Sequence, residues 1–306
     1  MQRFMLVRTL QAVLTLWILS VVVFASVHLT GDPATYLIGP ETTDATYAQL
    51  KKNLGLDKPL PVQYWTFITN ILLHADFGTS TYNGRSAREV LFERFPATLQ
   101  LAGAAFVLSL ILGIPLGILS AVKRDTIFDS AGKMFAVIGI AAPPFWIAIM
   151  LILVFGAILG WLPTFGRGGI SHFILPTFVL AWAGMAGYVR LARSAMLEVL
   201  DSDYIKFARV KGLTEGQVVW KHALRNALIP MLTFAGLTLA GLLNGSIAVE
   251  VVFAWPGVGR LMLQGITSRD FPIIQATVLA AGFFYIFTAL VVDILYAYVN
   301  PRIRFE

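Results

Sequence analysis

Six apolar stretches, each of roughly the 20 residues that a helix needs to cross the hydrocarbon core of a bilayer, dominate this chain of 306 residues. In lipid, every backbone N–H and C=O must be satisfied within its own segment, so each stretch is predicted to be a helix. The predicted spans are Thr9–Leu29, Ala97–Val122, Lys133–Leu159, Ile174–Leu191, Leu228–Val252 and Ile273–Val299. The sequence therefore predicts an all-α integral membrane protein with six transmembrane helices.

The composition supports this class and excludes several kinds of chemistry. Hydrophobic residues make up 57% of the chain and charged residues only 13%, whereas charged residues make up roughly 25% of an ordinary soluble domain. There is no cysteine, which excludes disulfides, thiolate metal sites and cysteine nucleophiles.

The positions of the basic residues predict the orientation, because lysine and arginine are enriched in short cytoplasmic segments. With the N-terminus in the cytoplasm, six spans place the C-terminus there too. The cytoplasmic segments then contain Arg3, Arg8, Lys123, Arg124, Lys133, Arg190, Arg193, Lys206, Arg209, Lys211, Lys221, Arg225, Arg302 and Arg304. The net charge of +6 is accordingly attributed to topology, and nucleic acid is not predicted as a partner.

The chain divides into residues 1–29 (the N-terminal tail and first span), 30–96 (an extracytoplasmic segment) and 97–306 (a five-helix core). Short helices are predicted at Thr43–Leu54 and Val62–Leu73. Ser86 and Glu89 have the spacing of a capping box, which predicts a helix that ends before Pro96. About sixty residues are marginal for an independent core, so this segment is predicted to be a helical insertion that covers the ends of the spans.

Catalytic motifs are missing from the sequence. Gly132-Lys133 is followed by Met134 and is not a phosphate-binding loop, and neither a zinc-protease motif nor a nucleophile elbow occurs. We therefore predict no enzyme activity, no metal site and no cofactor in this chain. An intramembrane enzyme that uses Glu250, Asp293 or a histidine is the main alternative. A membrane-anchored DNA-binding protein is another, although a loop tethered beside the bilayer could hardly reach a duplex.

Glu250 and Asp293 are ionisable residues within predicted spans, which makes them candidates for function because burying charge in a membrane is costly. A structural ion pair or hydrogen bond with a neighbouring helix is the favoured alternative for both. Glu250 precedes Trp255, Pro256 and Gly257, which are candidates for an extracytoplasmic loop or gate at the end of the fifth span.

Prolines interrupt the spans, and glycines accompany them. Proline removes a backbone hydrogen bond and kinks a helix, while glycine lets helices approach closely. The prolines are Pro115, Pro143, Pro144 and Pro176, and the glycines are Gly113, Gly117, Gly139, Gly184 and Gly187. These features are typical of a bundle that can change between two arrangements, and also of static packing.

The loop at residues 195–227, between the fourth and fifth spans, is the most informative polar segment. It is predicted to form two short helices, the first capped by Ser202 or Asp201. Gly212 suits a left-handed helix end, and Thr214 with Gln217 has the spacing of a second capping box. Such a cytoplasmic helix–turn–helix offers a soluble partner a surface to hold.

Here the chain resembles the permease subunits of type I ATP-binding-cassette importers. Their general pattern is matched only in part: Lys206-Phe207-Ala208 stands where the family has E-A-A, and Gly212 is its glycine. The dipeptide, oligopeptide and nickel subfamily is matched closely and over the whole chain. The matching segments are DYIKFARVKG from Asp203, HALRNALIP from His222, GDP at Gly31, DFG at Asp76, VEVVFAWPGVGRL from Val249, RDFPIIQ from Arg269 and VDILYAYVNPRIR from Val292.

The resemblance implies the type I importer permease fold in a bacterial or archaeal inner membrane. It implies a second, homologous permease, two cytosolic ATPases that bind ATP and Mg, and an extracytoplasmic solute-binding protein. The implied ATPase-coupling residues are Tyr204, Lys206, Phe207, Ala208, Arg209, Lys211, Gly212 and Leu213. Di- or oligopeptides are the expected solutes, and nickel chelates, glutathione or other amino-acid derivatives remain open.

Overall fold

The computed structural model describes residues 2–29, 44–53 and 55–299. Within these ranges the regular structure is helical, with one isolated β-bridge between Thr79 and Ser86. The helices are α1 Gln2–Leu29, α2 Asp44–Asn53, α3 Leu60–His74, α4 Ala87–Val122, α5 Ile127–Ala141, α6 Pro144–Leu151, α7 Ile170–Leu200, α8 Asp203–Val210, α9 Glu215–Gln217, α10 Leu224–Val252, α11 Val258–Ser268 and α12 Phe271–Val299. Two π-helical segments, Ile152–Ile158 and Val218–Ala223, follow α6 and α9.

Five of these helices are long and apolar enough to cross a membrane, and a sixth crossing exists if one bent pair counts as a single span. The five are Met5–Leu29, Ala87–Val122, Ile170–Leu200, Glu215–Leu242 and Phe271–Ile294, and the bent pair is Ile127–Ala141 with Pro144–Ile158. The prediction of an all-helical membrane protein is therefore confirmed. The Gly31-Asp32-Pro33 motif, Arg302 and Arg304 lie outside the described residues.

The third predicted span, Lys133–Leu159, is not one helix. Its two halves meet at an angle of 108°. Ala142 has φ −79° and ψ 126°, an extended conformation, because the ring of a following proline disfavours the helical region. Pro143 is likewise extended, and Pro144 begins α6. The kink predicted at these two prolines is thus a complete break in the helix.

The helix predicted to end before Pro96 instead continues through it. Both Pro96 and Pro115 lie inside α4, which runs unbroken from Ala87 to Val122. Pro96 is exposed. The long apolar run that follows sustains the helix, because membrane helices tolerate proline when nearby groups re-satisfy the backbone. The side chain of Ser86 does not cap α4, so the capping box predicted with Glu89 is wrong.

The two short helices predicted between the first two spans are confirmed as α2 and α3, with ends shifted by a few residues. α3 packs on the C-terminal part of α1. The hydroxyls of Tyr64 and Ser20 lie 2.8 Å apart, and the His28 ring nitrogen Nε2 lies 2.9 Å from Oε1 of Gln63. Phe24 adds an edge contact with Tyr64.

Glycines bring the central helices close together, as predicted. A Cβ added at Gly113 or Gly117 of α4 would lie 2.7 Å from Cβ of Tyr188 or 2.6 Å from Cβ of Ala192, both on α7. A Cβ at Gly139 of α5 would lie 2.4 Å from Cβ of Ala186, again on α7. α7 is therefore the central helix against which α4 and α5 are packed without intervening side chains.

Candidate functional site

The glycine turn and one of the two predicted caps of the loop after α7 are formed as the sequence predicts. Gly212 has φ +81° and ends the loop's first helix in the left-handed region that favours glycine. Thr214 and Gln217 form the predicted capping box, in which Oγ1 of Thr214 accepts the Gln217 N–H at 3.4 Å. Ser202 occupies the N-cap position of α8, but its hydroxyl donates to the carbonyl of Val199 instead of accepting from the helix. Capping by the Ser202 side chain is therefore wrong.

The second predicted helix of this loop is not a separate short helix. α9 begins at Glu215 and continues through the π-helical segment into α10, and Glu215–Leu242 forms one stretch long enough to cross a membrane. The capping box lies at the beginning of that stretch. The second half of the loop, from Glu215 onward, is thus continuous with the following span.

α8 has a buried face and an exposed face. Ile205 is fully buried and Ala208 is 7% exposed, and both belong to an apolar cluster with Ile118, Met196, Val218 and Ala223. Tyr204, Phe207 and Val210, spaced three residues apart, are exposed. The helix is therefore held to its own chain by Ile205 and Ala208 and presents Tyr204, Phe207 and Val210 outward.

The charged residues of this loop are paired at the surface. Lys206 lies 2.9 Å from Asp203, and the hydrogen bond between them lowers the pKa of the Asp203 carboxyl. Arg209 bonds to Glu215 at 2.8 Å, and the Lys211 ammonium lies 4.7 Å from the centre of the Phe207 ring.

The remaining predicted coupling residues differ in their surroundings. The Tyr204 hydroxyl accepts a hydrogen bond of 2.7 Å from the Asn226 side chain at the start of α10. Leu213 is half-buried and packs against the apolar cluster beneath α8. Of the eight predicted coupling residues, Ala208 is buried and Leu213 is half-buried. The other six are exposed.

Glu250, near the C-terminal end of α10, is fully buried. Its Oε1 accepts from the Thr98 hydroxyl at 2.7 Å, and its Oε2 accepts from the Arg260 backbone N–H at 3.1 Å. The Thr98 hydroxyl in turn accepts from the Val258 N–H at 2.8 Å. Glu250 therefore joins α10, α4 and the beginning of α11, which favours the structural interpretation of this residue over solute contact.

The residues after Glu250 form a tight turn against it. Trp255 is fully buried, and its indole N–H donates to the Ala97 carbonyl at 2.9 Å. Pro256 is half-buried. A Cβ added at Gly257 would lie 2.3 Å from Cδ of Glu250, so only glycine fits there. The predicted gate residues are thus packed into the protein, with Trp255 tying this turn to α4.

Asp293 lies within α12, and its carboxylate is 3.3 Å from the guanidinium of Arg8 on α1. The side chains of Arg8 and Asp293 are 44% and 33% exposed. This pair matches the ion-pair interpretation and joins the first long helix to the last. In the described part of the chain Glu250 bonds to Thr98 and Arg260, and Asp293 pairs with Arg8, so the structure does not assemble the two carboxylates into one catalytic site.

Two buried carboxylates were missed by the sequence analysis. Asp129 of α5 is fully buried and pairs with Arg193 of α7 at 2.6 Å. Asp270, at the start of α12, is 2% exposed and accepts from the Ser80 hydroxyl and the Thr81 N–H. Arg193 is 64 residues from Asp129, and Ser80 is 190 residues from Asp270, so spacing alone gives no signal for these two pairs. Lys133, four residues after Asp129 and 2.8 Å from it, was the only local clue.

Among the described residues, no group of three or more histidine, aspartate or glutamate side chains could hold a metal ion. Three cavities in the described part of the chain have volumes of about 630, 570 and 520 Å³. None of them is lined by the residues of the loop after α7.

Two protein families match this chain. The family described as the binding-protein-dependent transport system inner membrane component matches residues 113–305, and its N-terminal companion matches residues 1–102. The glutathione transport system permease protein GsiC of Salmonella typhimurium is 44% identical over 307 residues, covering 100% of both chains. GsiC of Escherichia coli K12 is 43% identical with the same coverage.

Among solved structures, the inward-facing MetNI methionine ABC transporter matches with a TM-score of 0.56 and 21% identity. The match covers 70% of this chain and 97% of that one. At this level of identity the likeness concerns the fold.

Proposed function

This chain belongs to the family of binding-protein-dependent transport system inner membrane components and is the permease subunit of an ABC importer; on that premise we propose that it forms, with a second permease, the import pathway for glutathione or similar short peptides. The observation that carries the proposed solute is the relation to proteins named for glutathione transport, 43–44% identical over the full length of both chains. Longer peptides and nickel chelates are the competing solutes within the same transporter class.

The exposed face of α8 is the proposed contact with an ATPase. Tyr204, Phe207 and Val210 form an apolar row on a surface otherwise rich in charge, and aromatic side chains commonly anchor protein interfaces. Lys206 and Arg209 are held beside them by acidic partners in the same loop. Displacement of α8 would be transmitted to the membrane helix that begins at Glu215, because only residues 211–214 separate the two and Arg209 of α8 is paired with Glu215.

The ion pair between Arg8 and Asp293 supports six crossings with both termini in the cytoplasm. It brings the N-terminal part of α1 beside the C-terminal part of α12. These two ends lie on the same side of a membrane only if the number of crossings is even. Counting the bent pair α5–α6 as one span gives six, and the positive-inside rule then places both ends in the cytoplasm.

The complete transporter is proposed to contain this chain, a second permease, two cytosolic ATPases that bind ATP and Mg, and an extracytoplasmic solute-binding protein. In this arrangement hydrolysis occurs in the partner subunits, and the permease needs no cofactor. The bacterial inner membrane is the proposed location, with residues 30–96 facing the binding protein.

The first test is affinity purification of this chain from its native membrane in mild detergent, with mass spectrometry of the co-purifying proteins. We expect a second permease and two ATPases. The complex is then reconstituted with its binding protein into liposomes, and import of radiolabelled glutathione is measured with and without ATP. A chain that is isolated alone, under conditions that preserve other membrane complexes, would contradict the proposed assembly.

The contact surface of α8 is tested by Phe207→Ser, with Val137→Ser as the control. Both replace an exposed apolar residue, but Val137 lies on α5, outside the loop. We expect Phe207→Ser to reduce recovery of the ATPases at least tenfold, because aromatic anchors at interfaces often contribute about 2 kcal/mol or more. Equal recovery of ATPases with both variants would contradict this surface.

A further inference from the structure

Asp129 is the most heavily hydrogen-bonded carboxylate in the described part of the chain, and it lies outside the predicted coupling loop. Oδ1 accepts from Nε of Arg193 at 2.6 Å and from the Ser120 hydroxyl at 2.8 Å. Oδ2 accepts from Nη2 of Arg193 at 3.0 Å, from the Asp125 N–H at 3.1 Å and from Lys133 at 2.8 Å. Arg193 thus makes the two-pronged contact that fixes both distance and orientation.

These partners belong to three different helices at one end of the bundle. Ser120 is close to the C-terminal end of α4, Asp129 is in the first turn of α5, and Arg193 is near the C-terminal end of α7. α7 leads into α8 across Asp201 and Ser202 only. Asp129 therefore connects two helices. One is α7, which leads into the coupling loop, and the other is α5, which ends at the break at Ala142.

α5 has a second contact with α7, of a different kind. Gly139 packs on Ala186 so closely that an added Cβ would lie 2.4 Å away. This contact is apolar and contains no directional bond. The bonds of Asp129 with Arg193 are directional and fix the register of α5 on α7. After Ala141 the following helical segment, Pro144–Ile158, is bent by 108° relative to α5.

We propose that Asp129 and Arg193 are positioning residues for transport coupling: their ion pair makes α5 move with α7, so that displacement of α8 reaches the break between α5 and α6. This inference rests on the proposed function, because it requires α8 to be moved by an ATPase. It adds a second connection from the coupling loop to the membrane helices, beside the direct one from α9 into α10.

The test uses the complete transporter, purified with its partner subunits and reconstituted into liposomes with glutathione as the probe. The first readout is the number of glutathione molecules imported per ATP hydrolysed. The second is a distance across the break, measured by pulsed electron spin resonance between labels at Ile140→Cys and Ile149→Cys. Both positions are exposed. The chain has no cysteine of its own, and cysteines of the partner subunits are replaced beforehand.

The variants are Asp129→Asn and Arg193→Gln, with Arg193→Lys as the conservative replacement and Arg190→Gln as the matched control. Arg190 lies on the same helix and is exposed, so its loss removes an equal charge. We expect Asp129→Asn and Arg193→Gln to lower the import-to-hydrolysis ratio at least fivefold, within the usual range of coupling between sites. ATP hydrolysis should stay within about twofold, Arg193→Lys should recover most of the ratio, and Arg190→Gln should leave it unchanged.

In the otherwise unchanged chain, we expect the label distance to shift when ATP is bound, and in Asp129→Asn and Arg193→Gln this shift should be lost. An unchanged ratio and shift in both variants would overturn the proposal. So would a parallel loss of import, hydrolysis and assembled complex, because that result indicates a purely structural role. If the unchanged transporter does not import glutathione, the proposed solute is wrong, but the nucleotide-dependent shift still decides whether the ion pair couples the helices.

Discussion

At the loop after α7 two ion pairs lie at the surface, whereas Glu250, near the C-terminal end of α10 and beside the following turn, is fully buried. The two regions lie at opposite ends of the helical stretch that begins at Glu215 and ends at Val252. In the loop, Ile205 and Ala208 hold α8 to the protein, and Tyr204, Phe207 and Val210 remain exposed. In the turn, Glu250 and Trp255 bind three segments together. One end exposes apolar side chains, and the other end is packed into the protein.

The glycines of the two regions differ in the same way. Gly257 has an ordinary φ of −103°, and glycine is required there because Glu250 occupies the space where a side chain would begin. Gly212 has open space around it, and glycine is required by its φ of +81°. The turn depends on packing and the loop on backbone conformation, so substitutions at the two sites should fail for different reasons.

The largest effect is expected for Gly257→Ala. The added methyl group would displace the buried carboxylate of Glu250 and break its hydrogen bonds, which should destabilise the protein by about 3 kcal/mol or more through overpacking and unpaired donors. Thermal unfolding of the purified complex measures this loss. Gly103→Ala, on α4 with no atom within 4 Å of the added Cβ, is the control and should leave the midpoint within experimental error. Equal midpoints for the two variants would show that the turn is not tightly packed.

Glu250→Gln should have the next largest effect. Glutamine keeps one acceptor, but its amide group must face either the Thr98 hydroxyl or the Arg260 N–H, both of which donate to Glu250. One buried donor left unpaired costs about 1–3 kcal/mol. The expected result is a lower thermal midpoint with little change in import per ATP hydrolysed. Glu198→Gln, an exposed glutamate on α7, is the control. Loss of import at full stability would instead favour direct solute contact.

Gly212→Val tests whether the loop depends on the left-handed conformation of Gly212. A β-branched residue in the left-handed region costs about 1–2 kcal/mol or more, and this strain should displace α8 from its position. We expect normal membrane insertion with import reduced at least fivefold. Gly212→Asn should retain most of the activity, because asparagine tolerates this conformation. Import by Gly212→Val at the rate of the unchanged chain would contradict the coupling role of the loop.

The smallest effect is expected for Arg8→Gln. Its ion pair with Asp293 is partly exposed, and pairs of this kind contribute about 0–1 kcal/mol. The thermal midpoint of the purified complex should therefore change little, and salt should reduce the difference further. Arg124→Gln, which removes an exposed partner of Asp125, provides a comparison. A loss as large as that from Glu250→Gln would show that this end of the bundle is as tightly built as the turn after α10.

The sequence predicts well what depends on neighbouring residues or on length. Apolar runs long enough to span a bilayer predict α4, α7, α10 and α12, and the capping box at Thr214 is formed as its spacing indicates. Proline was a less reliable guide, because its effect depends on context. At Pro96 the helix continues, whereas at Pro143 and Pro144 two successive prolines break it.

What the sequence could not predict depends on contacts between distant segments. Asp129 and Arg193 are 64 residues apart, and Glu250 and Thr98 are 152 apart, so no local spacing indicates either pair. For the same reason Glu250 could be identified as costly to bury, but its role in holding the turn could not. Trp255 likewise was predicted at a gate, and only the packed structure reveals its bond to Ala97.

The continuity from Glu215 to Leu242 has a mechanical consequence. These 28 residues form a rod of about 42 Å at the 1.5 Å rise of a helix. If the rod tilts as one body by about 10° around its Glu215 end, its far end is displaced by about 7 Å. Neighbouring strands of a sheet lie about 5 Å apart, measured between their axes. A rotation of about 7° at the loop would therefore move the far end of the rod by the width of one extended strand.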